Sequence, residues 1–118
     1  MILNRIAIIG LGSIGRRHLR LMSEIRPDIE IIAVRSGHGN PCDEEKTAVR
    51  VVYSISDAIK EGIQAAIISS PATLHLEQSL ELAMNGIHLL IEKPISDKSN
   101  EVDKLLRVVN ENNITAMV

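Results

Sequence analysis

Several clusters along this sequence have residue types and spacing suited to chemistry. The sharpest is Gly10-Leu11-Gly12-Ser13-Ile14-Gly15, a G-x-G-x-x-G between an apolar run and a segment of helical period. Gly10 permits a tight turn, Gly12 lets the main chain approach a diphosphate, and Gly15 lets the helix lie close to the strand before it. Free N–H groups at the helix start bind the anion. The competing readings are a glycine turn kept for packing and the related loop of a methyl-donor-binding sheet. Arg16 and Arg17 follow in the first helical turn, where each cation opposes the helix dipole at a cost of up to about 1 kcal/mol. Arg17 and Arg20 read as solvated, and Arg16 either shares that solvated face or is compensated by a nearby phosphate.

A second cluster concerns cofactor choice. About 20 residues past the glycines, NAD-binding sheets usually place an acid for the ribose 2′-hydroxyl. Here that position holds Arg35, followed by Ser36, Gly37 and His38. Asp28 and Glu30 lie at the other end of the expected strand, roughly 15–20 Å away at strand rise. A planar multi-donor cation beside a hydroxyl suits a 2′-phosphate, so NADP is expected over NAD. The alternative is a solvated loop arginine, with the adenosine held by apolar contacts.

Two further clusters close expected strands. Ser69-Ser70-Pro71-Ala72-Thr73-Leu74-His75 opens into a helix beside the point where strand order reverses. Pro71 stiffens that turn, Ser70 can donate to ribose or phosphate, and His75 either faces the cofactor or is structural. Glu92-Lys93-Pro94 follows the apolar Leu89-Leu90-Ile91. A lysine at that edge can stabilise developing negative charge on a substrate oxygen or exchange a proton. Pro94 restricts Lys93 to extended geometry. The bland alternative is a surface ion pair.

The elements that must position these residues alternate in period. Strands are expected at Arg5–Ile9, Ile29–Val34, Val51–Tyr53, Ala65–Ser69, His88–Ile91 and Ile114–Val118, mostly continuous apolar runs suited to a sheet covered on both faces. A helix with Ile14, His18, Leu21, Met22 and Ile25 on one stripe should stop before Pro27. Another, capped by Thr73 and ended by Gly86, should bury Leu76, Leu80, Ala83 and Met84. A third, capped by Ser96 with Asp97 in its first turn, should bury Val102, Leu105, Leu106 and Val109. Between Arg35 and Arg50 a loop is expected, with at most a short helix near Asp43–Val49. This rhythm predicts an α/β fold: a doubly wound parallel sheet in three αβα layers, six strands in the Rossmann order 3-2-1-4-5-6.

Composition narrows the function classes. Of 118 residues, 38 are Ile, Leu or Val, enough for a single aliphatic core. One aromatic residue, Tyr53, argues against a stacking platform for single-stranded nucleic acid, and a net charge of −2 gives no basic surplus for a phosphate backbone. The single cysteine, Cys42, excludes an internal disulfide and does not suggest a metal site. No apolar run reaches the ~20 residues of a membrane span. Glycines break the apolar opening at Gly10, so it reads as the first strand of a cytoplasmic domain rather than a leader.

Gly-Leu-Gly-Ser-Ile-Gly-Arg-Arg-His, Ser-Pro-Ala-Thr-Leu-His and Glu-Lys-Pro occur in this order on successive strands. Together they resemble the glucose–fructose oxidoreductase / inositol dehydrogenase (Gfo/Idh/MocA) family from Arg5 to Val118. The resemblance implies a glycine loop on the diphosphate, with Arg35 and Ser36 at the adenosine ribose. It puts Ser70, Pro71 and His75 on the nicotinamide side, and Glu92 and Lys93 beside it, Lys93 touching substrate. Ser36 departs from the acid that is frequent in the family. Members are also much longer, with a second α/β domain for substrate and oligomer contacts that also supplies the usual acid/base histidine. The expectation is therefore residues 1–118 as a cofactor domain without that second domain, of little activity alone. In the complete enzyme, a homo-oligomer acting on a small sugar-like molecule, it would serve hydride transfer. A non-catalytic redox-sensing or regulatory module is the rival.

Overall fold

The computed structural model describes residues 3–35, 42–93 and 99–118, with the main chain alone at 99 and 100. The sheet contains β1 (Arg5–Ile9), β2 (Glu30–Val34), β3 (Arg50–Val52), β4 (Ala65–Ile68), β5 (His88–Ile91) and β6 (Ala116–Met117). All neighbours run parallel, in the order β3-β2-β1-β4-β5-β6. This is the expected doubly wound arrangement. The order reverses between β1 and β4, so the carboxyl ends of these two strands open the crevice in which such sheets hold ligands.

The apolar strands follow from burial on two faces. Ile6 and Ile8 of β1 pack with Leu19, Ile31 and Ile67 beneath α1 (Ser13–Ile25). Ala7 and Ile9 point the other way, into a larger cluster with Ile55, Leu76 and Leu105. Those residues come from α2 (Ile55–Lys60), α3 (His75–Met84) and α4 (Ser99–Glu111). Coverage fails at the far edge on the α1 side, where Leu90 and Met117 stand exposed.

Several expected details shift. In α1 the buried residues are Gly15 and Leu19, whereas Ile14 and Ile25 are 46% and 70% exposed. Gly15 must touch the Gly10 carbonyl, and that contact rotates the helix and delivers Ile14 to the cleft. Met84 and Leu106 are exposed because each neighbours a buried residue, Ala83 or Leu105, about 100° around its helix. Thr73 does not cap α3. A 3-10 turn, Ala72–Leu74, precedes the helix, which starts at His75. Gly86, at φ +75°, ends α3 as expected, with Ile87 N–H donating to the Leu82 carbonyl and Gly86 N–H to that of Ala83. The expected cap Ser96 lies outside the described residues. Unforeseen was α2, whose Ser54 hydroxyl caps the Asp57 N–H at 3.0 Å.

Candidate functional site

The glycine turn joins β1 to α1 at the switch point, and its three glycines meet different surroundings. Gly10 has φ +89°, and a Cβ there would stand 2.7 Å from the Ser70 main chain. A Cβ on Gly15 would lie 1.7 Å from the Gly10 carbonyl oxygen. Ser69 completes this junction: its hydroxyl donates to the carbonyls of Ile9 and Gly10, each at 3.0 Å. A Cβ on Gly12, by contrast, would have nothing within 4 Å. Gly12 is the N-cap of α1, with no side-chain cap and no acid in the first turn. The opening N–H groups of the helix lack an i−4 carbonyl, so this open flank offers donors to an anion.

A cleft of about 870 Å³ extends from that flank. Of the residues singled out in the sequence, Gly10, Gly12, Ser13, Ile14, Arg35, Ser70 and Pro71 line it. Gly15, packed against Gly10 and Ser69, does not line it, and neither does Arg16. The Arg16 Nε is nevertheless buried without a hydrogen-bond partner. Ser36 and Pro94 lie outside the described residues. A hollow of about 770 Å³ between α3 and α4 is a poorer anion site, because Glu77, Glu81 and Glu101 outnumber Lys104 around it.

The two remaining motifs divide. Ser70 faces the cleft and donates its hydroxyl to Gln78 Oε1. His75 is 2% exposed and donates from Nε2 to the Ser70 carbonyl at 2.6 Å, so it braces the turn from behind. At the end of β5, Glu92 turns toward α1, where His18 Nε2 donates to Glu92 Oε1 at 2.5 Å. Lys93 beside it is exposed, and Glu92, Lys93 and His75 are not among the residues lining the cleft.

Some cleft residues were not anticipated. Tyr53 and Ser54 line the end beyond β3, and Gln78 and Leu74 line the opposite wall. Tyr53 carried a signal, being the sole aromatic at a strand's carboxyl end. Gln78 carried none. Behind Arg35, in the 3-10 turn Asp43–Thr47, Glu45 brings Oε1 to 2.8 Å from Arg35 Nε, with the two side chains only 13% and 11% exposed. The charges compensate without an aligned hydrogen bond to that oxygen. Among the described residues no His, Cys, Asp and Glu group is arranged to hold a metal, and no helix is long and apolar enough to cross a membrane.

A doubly wound sheet with an open glycine turn and an uncapped helix start at its switch point defines a Rossmann domain of the dinucleotide-binding class. Comparison with known proteins agrees: residues 4–118 match the GFO_IDH_MocA family, described as an oxidoreductase family with an NAD-binding Rossmann fold, and the chain belongs to that family. It is 29% identical over 117 residues to the Bacillus subtilis scyllo-inositol 2-dehydrogenase (NADP(+)), covering 96% of this chain and 35% of the relative. It is 28% identical over 120 residues to the UDP-N-acetylglucosamine 3-dehydrogenase of Acidithiobacillus ferrooxidans, covering 100% of this chain and 37% of the relative. The crystal structure of myo-inositol 2-dehydrogenase from Lactobacillus plantarum superposes with a TM-score of 0.86 at 27% identity, over 98% of this chain and 36% of that one. The chain thus spans about a third of the length of these relatives.

Proposed function

We propose that this domain is the cofactor half of an oxidoreductase that transfers a hydride between a nicotinamide dinucleotide, NADP in preference to NAD, and a hydroxyl- or oxo-bearing carbon. The substrate would be a sugar, polyol or related compound. The observation that carries the reading is that Gly12's open flank, a diphosphate donor set, and Arg35 line one cleft. The cofactor, when bound, supplies the hydride donor or acceptor. The N–H groups at the start of α1 hold its diphosphate. Arg35, with Ser36 next in sequence, meets the 2′-phosphate. Ser70 and Pro71 border the nicotinamide side, with His75 fixing the Ser70 carbonyl.

Lys93 is assigned the substrate oxygen. Because His18 holds the Glu92 carboxylate, the neighbouring ammonium is not neutralised by its own strand. It can then stabilise negative charge developing on an alkoxide. Sugar-type substrates are supported by the similarity to the scyllo-inositol and UDP-N-acetylglucosamine dehydrogenases. The test is a thermal-shift titration of the chain with NADP and NAD in parallel, since a ligand of the folded state raises the melting point by mass action. NADP should give the larger shift at equal concentration. A larger shift with NAD would refute the preference, and no shift with either would refute the cofactor site.

A further inference from the structure

We propose that Glu45 is a specificity-determining residue that holds down the preference for a 2′-phosphorylated cofactor by balancing Arg35 from behind. This rests on Arg35 being the partner of the 2′-phosphate, as read above. Arg35 lines the cleft and Glu45 does not, and the Glu45 carboxylate lies 2.8 Å from Arg35 Nε. The carboxylate is held there by local structure. Its 3-10 turn packs on α1, Ala48 N–H donates to the Glu45 carbonyl at 3.1 Å, and Val49 N–H ties the turn to the Ile31 carbonyl of β2 at 2.9 Å.

Glu45 is only 13% exposed and Arg35 11%, so water screens their charges weakly. A phosphate arriving on the cleft side must share one cation with a fixed anion. Two anions in contact with one guanidinium from different sides are about 6–7 Å apart, close enough to repel appreciably in a part-buried setting. A ribose 2′-hydroxyl carries no charge and feels no such opposition. Glu45 therefore acts on NADP and not on NAD, through Arg35 rather than by touching the cofactor.

The test compares dissociation constants of NADP and NAD by titration calorimetry for the chain and its Glu45→Gln, Glu45→Asp and Arg35→Gln variants. Glu45→Gln keeps an oxygen for Arg35 and removes the charge. NADP should bind about tenfold tighter, with NAD within twofold of the parent. Glu45→Asp, which withdraws the carboxylate from Nε, should move the ratio the same way by about threefold, and it serves alone if the glutamine variant does not fold. Arg35→Gln should weaken NADP by tenfold or more. An Arg35→Gln loss without any shift in the Glu45 variants overturns the role of Glu45. An Arg35→Gln variant with an unchanged NADP to NAD ratio overturns the underlying assignment of Arg35 instead.

Discussion

Replacing each glycine of the turn by alanine should separate folding from binding within a single motif. At Gly12 the added methyl meets nothing within 4 Å, and the backbone, at φ −71° and ψ −169°, lies in a region open to alanine. The stability cost is that of alanine at an N-cap, roughly 0.5–1 kcal/mol. For a domain of this length 1 kcal/mol corresponds to about 4 °C, so Gly12→Ala should melt no more than about 4 °C below the parent. Its methyl enters the space through which a diphosphate reaches the helix start, lengthening charge-assisted bonds that need about 2.7–2.9 Å. Losing one or two of them costs about 1.4–2.8 kcal/mol, a 10- to 100-fold weaker dissociation constant for NAD and NADP alike. Gly15→Ala, 1.7 Å from a carbonyl oxygen, and Gly10→Ala, with φ +89° and 2.7 Å from the Ser70 main chain, should each lose more than about 3 kcal/mol or fail to fold. Melting curves and calorimetric titration read both quantities. A Gly12→Ala variant binding as tightly as the parent would refute the diphosphate approach. One as unstable as Gly15→Ala would refute the open flank.

Tyr53, the sole fluorophore of its kind in a chain without tryptophan, is 60% exposed at the cleft. Its emission should fall on saturation with AMP, and Tyr53→Ala should weaken dinucleotide binding about five- to tenfold, the low end of base–aromatic stacking; unchanged emission and affinity would remove it from the adenine end. Lys93→Ala should leave the cofactor dissociation constant within twofold in the chain and lower turnover about 10²- to 10⁴-fold in the full-length enzyme; steady-state kinetics with normal turnover would exclude the lysine from the chemistry. At the α1–β2 turn, the side-chain hydrogen bond from Arg26 holds the Asp28 carboxyl below its ordinary pKa. A lowered folded-state pKa contributes stability above the unfolded value and loses it as pH falls through the folded one. The acid limb of the pH–stability curve should therefore flatten slightly in Arg26→Ala, and 1 M salt should erase that difference because the pair is exposed.

The sheet was legible because its strands are apolar on both faces and separated by punctuated helical segments, a pattern few folds share. Gly10 and Gly15 were legible for a related reason: a positive φ and tight packing leave few other residues acceptable. What escaped depends on contacts distant in sequence. Six-residue α2 is too short to display a period, although Ser54 and Asp57 carried its capping signal. Glu45 sits in an aperiodic polar run, and only docking of its turn on α1 brings it to Arg35. The orientation of His75 was undecidable because an intervening 3-10 turn resets the phase of α3. Ile14 looked like core by spacing, yet the Gly15 contact turned it outward.

The start of α1 shows why this corner suits an anion better than its own side chains. The other described helices carry an acid in the first turn, Asp57, Glu77 or Glu101, each favourable to the dipole by some tenths of a kcal/mol. In α1 the first turn has none, the cap is glycine, and Arg16 follows with a buried Nε that has no partner. The missing acid and the orphaned Nε are locally unfavourable, and they coincide at a helix start that opens on the switch-point cleft. Local rules broken together at one place point to an interaction that restores the balance. A diphosphate does so twice, by accepting from the opening N–H groups and by adding the negative charge that the helix end lacks. Binding should accordingly stabilise the domain most at β1 and α1, the elements that meet at Gly10 and Gly15.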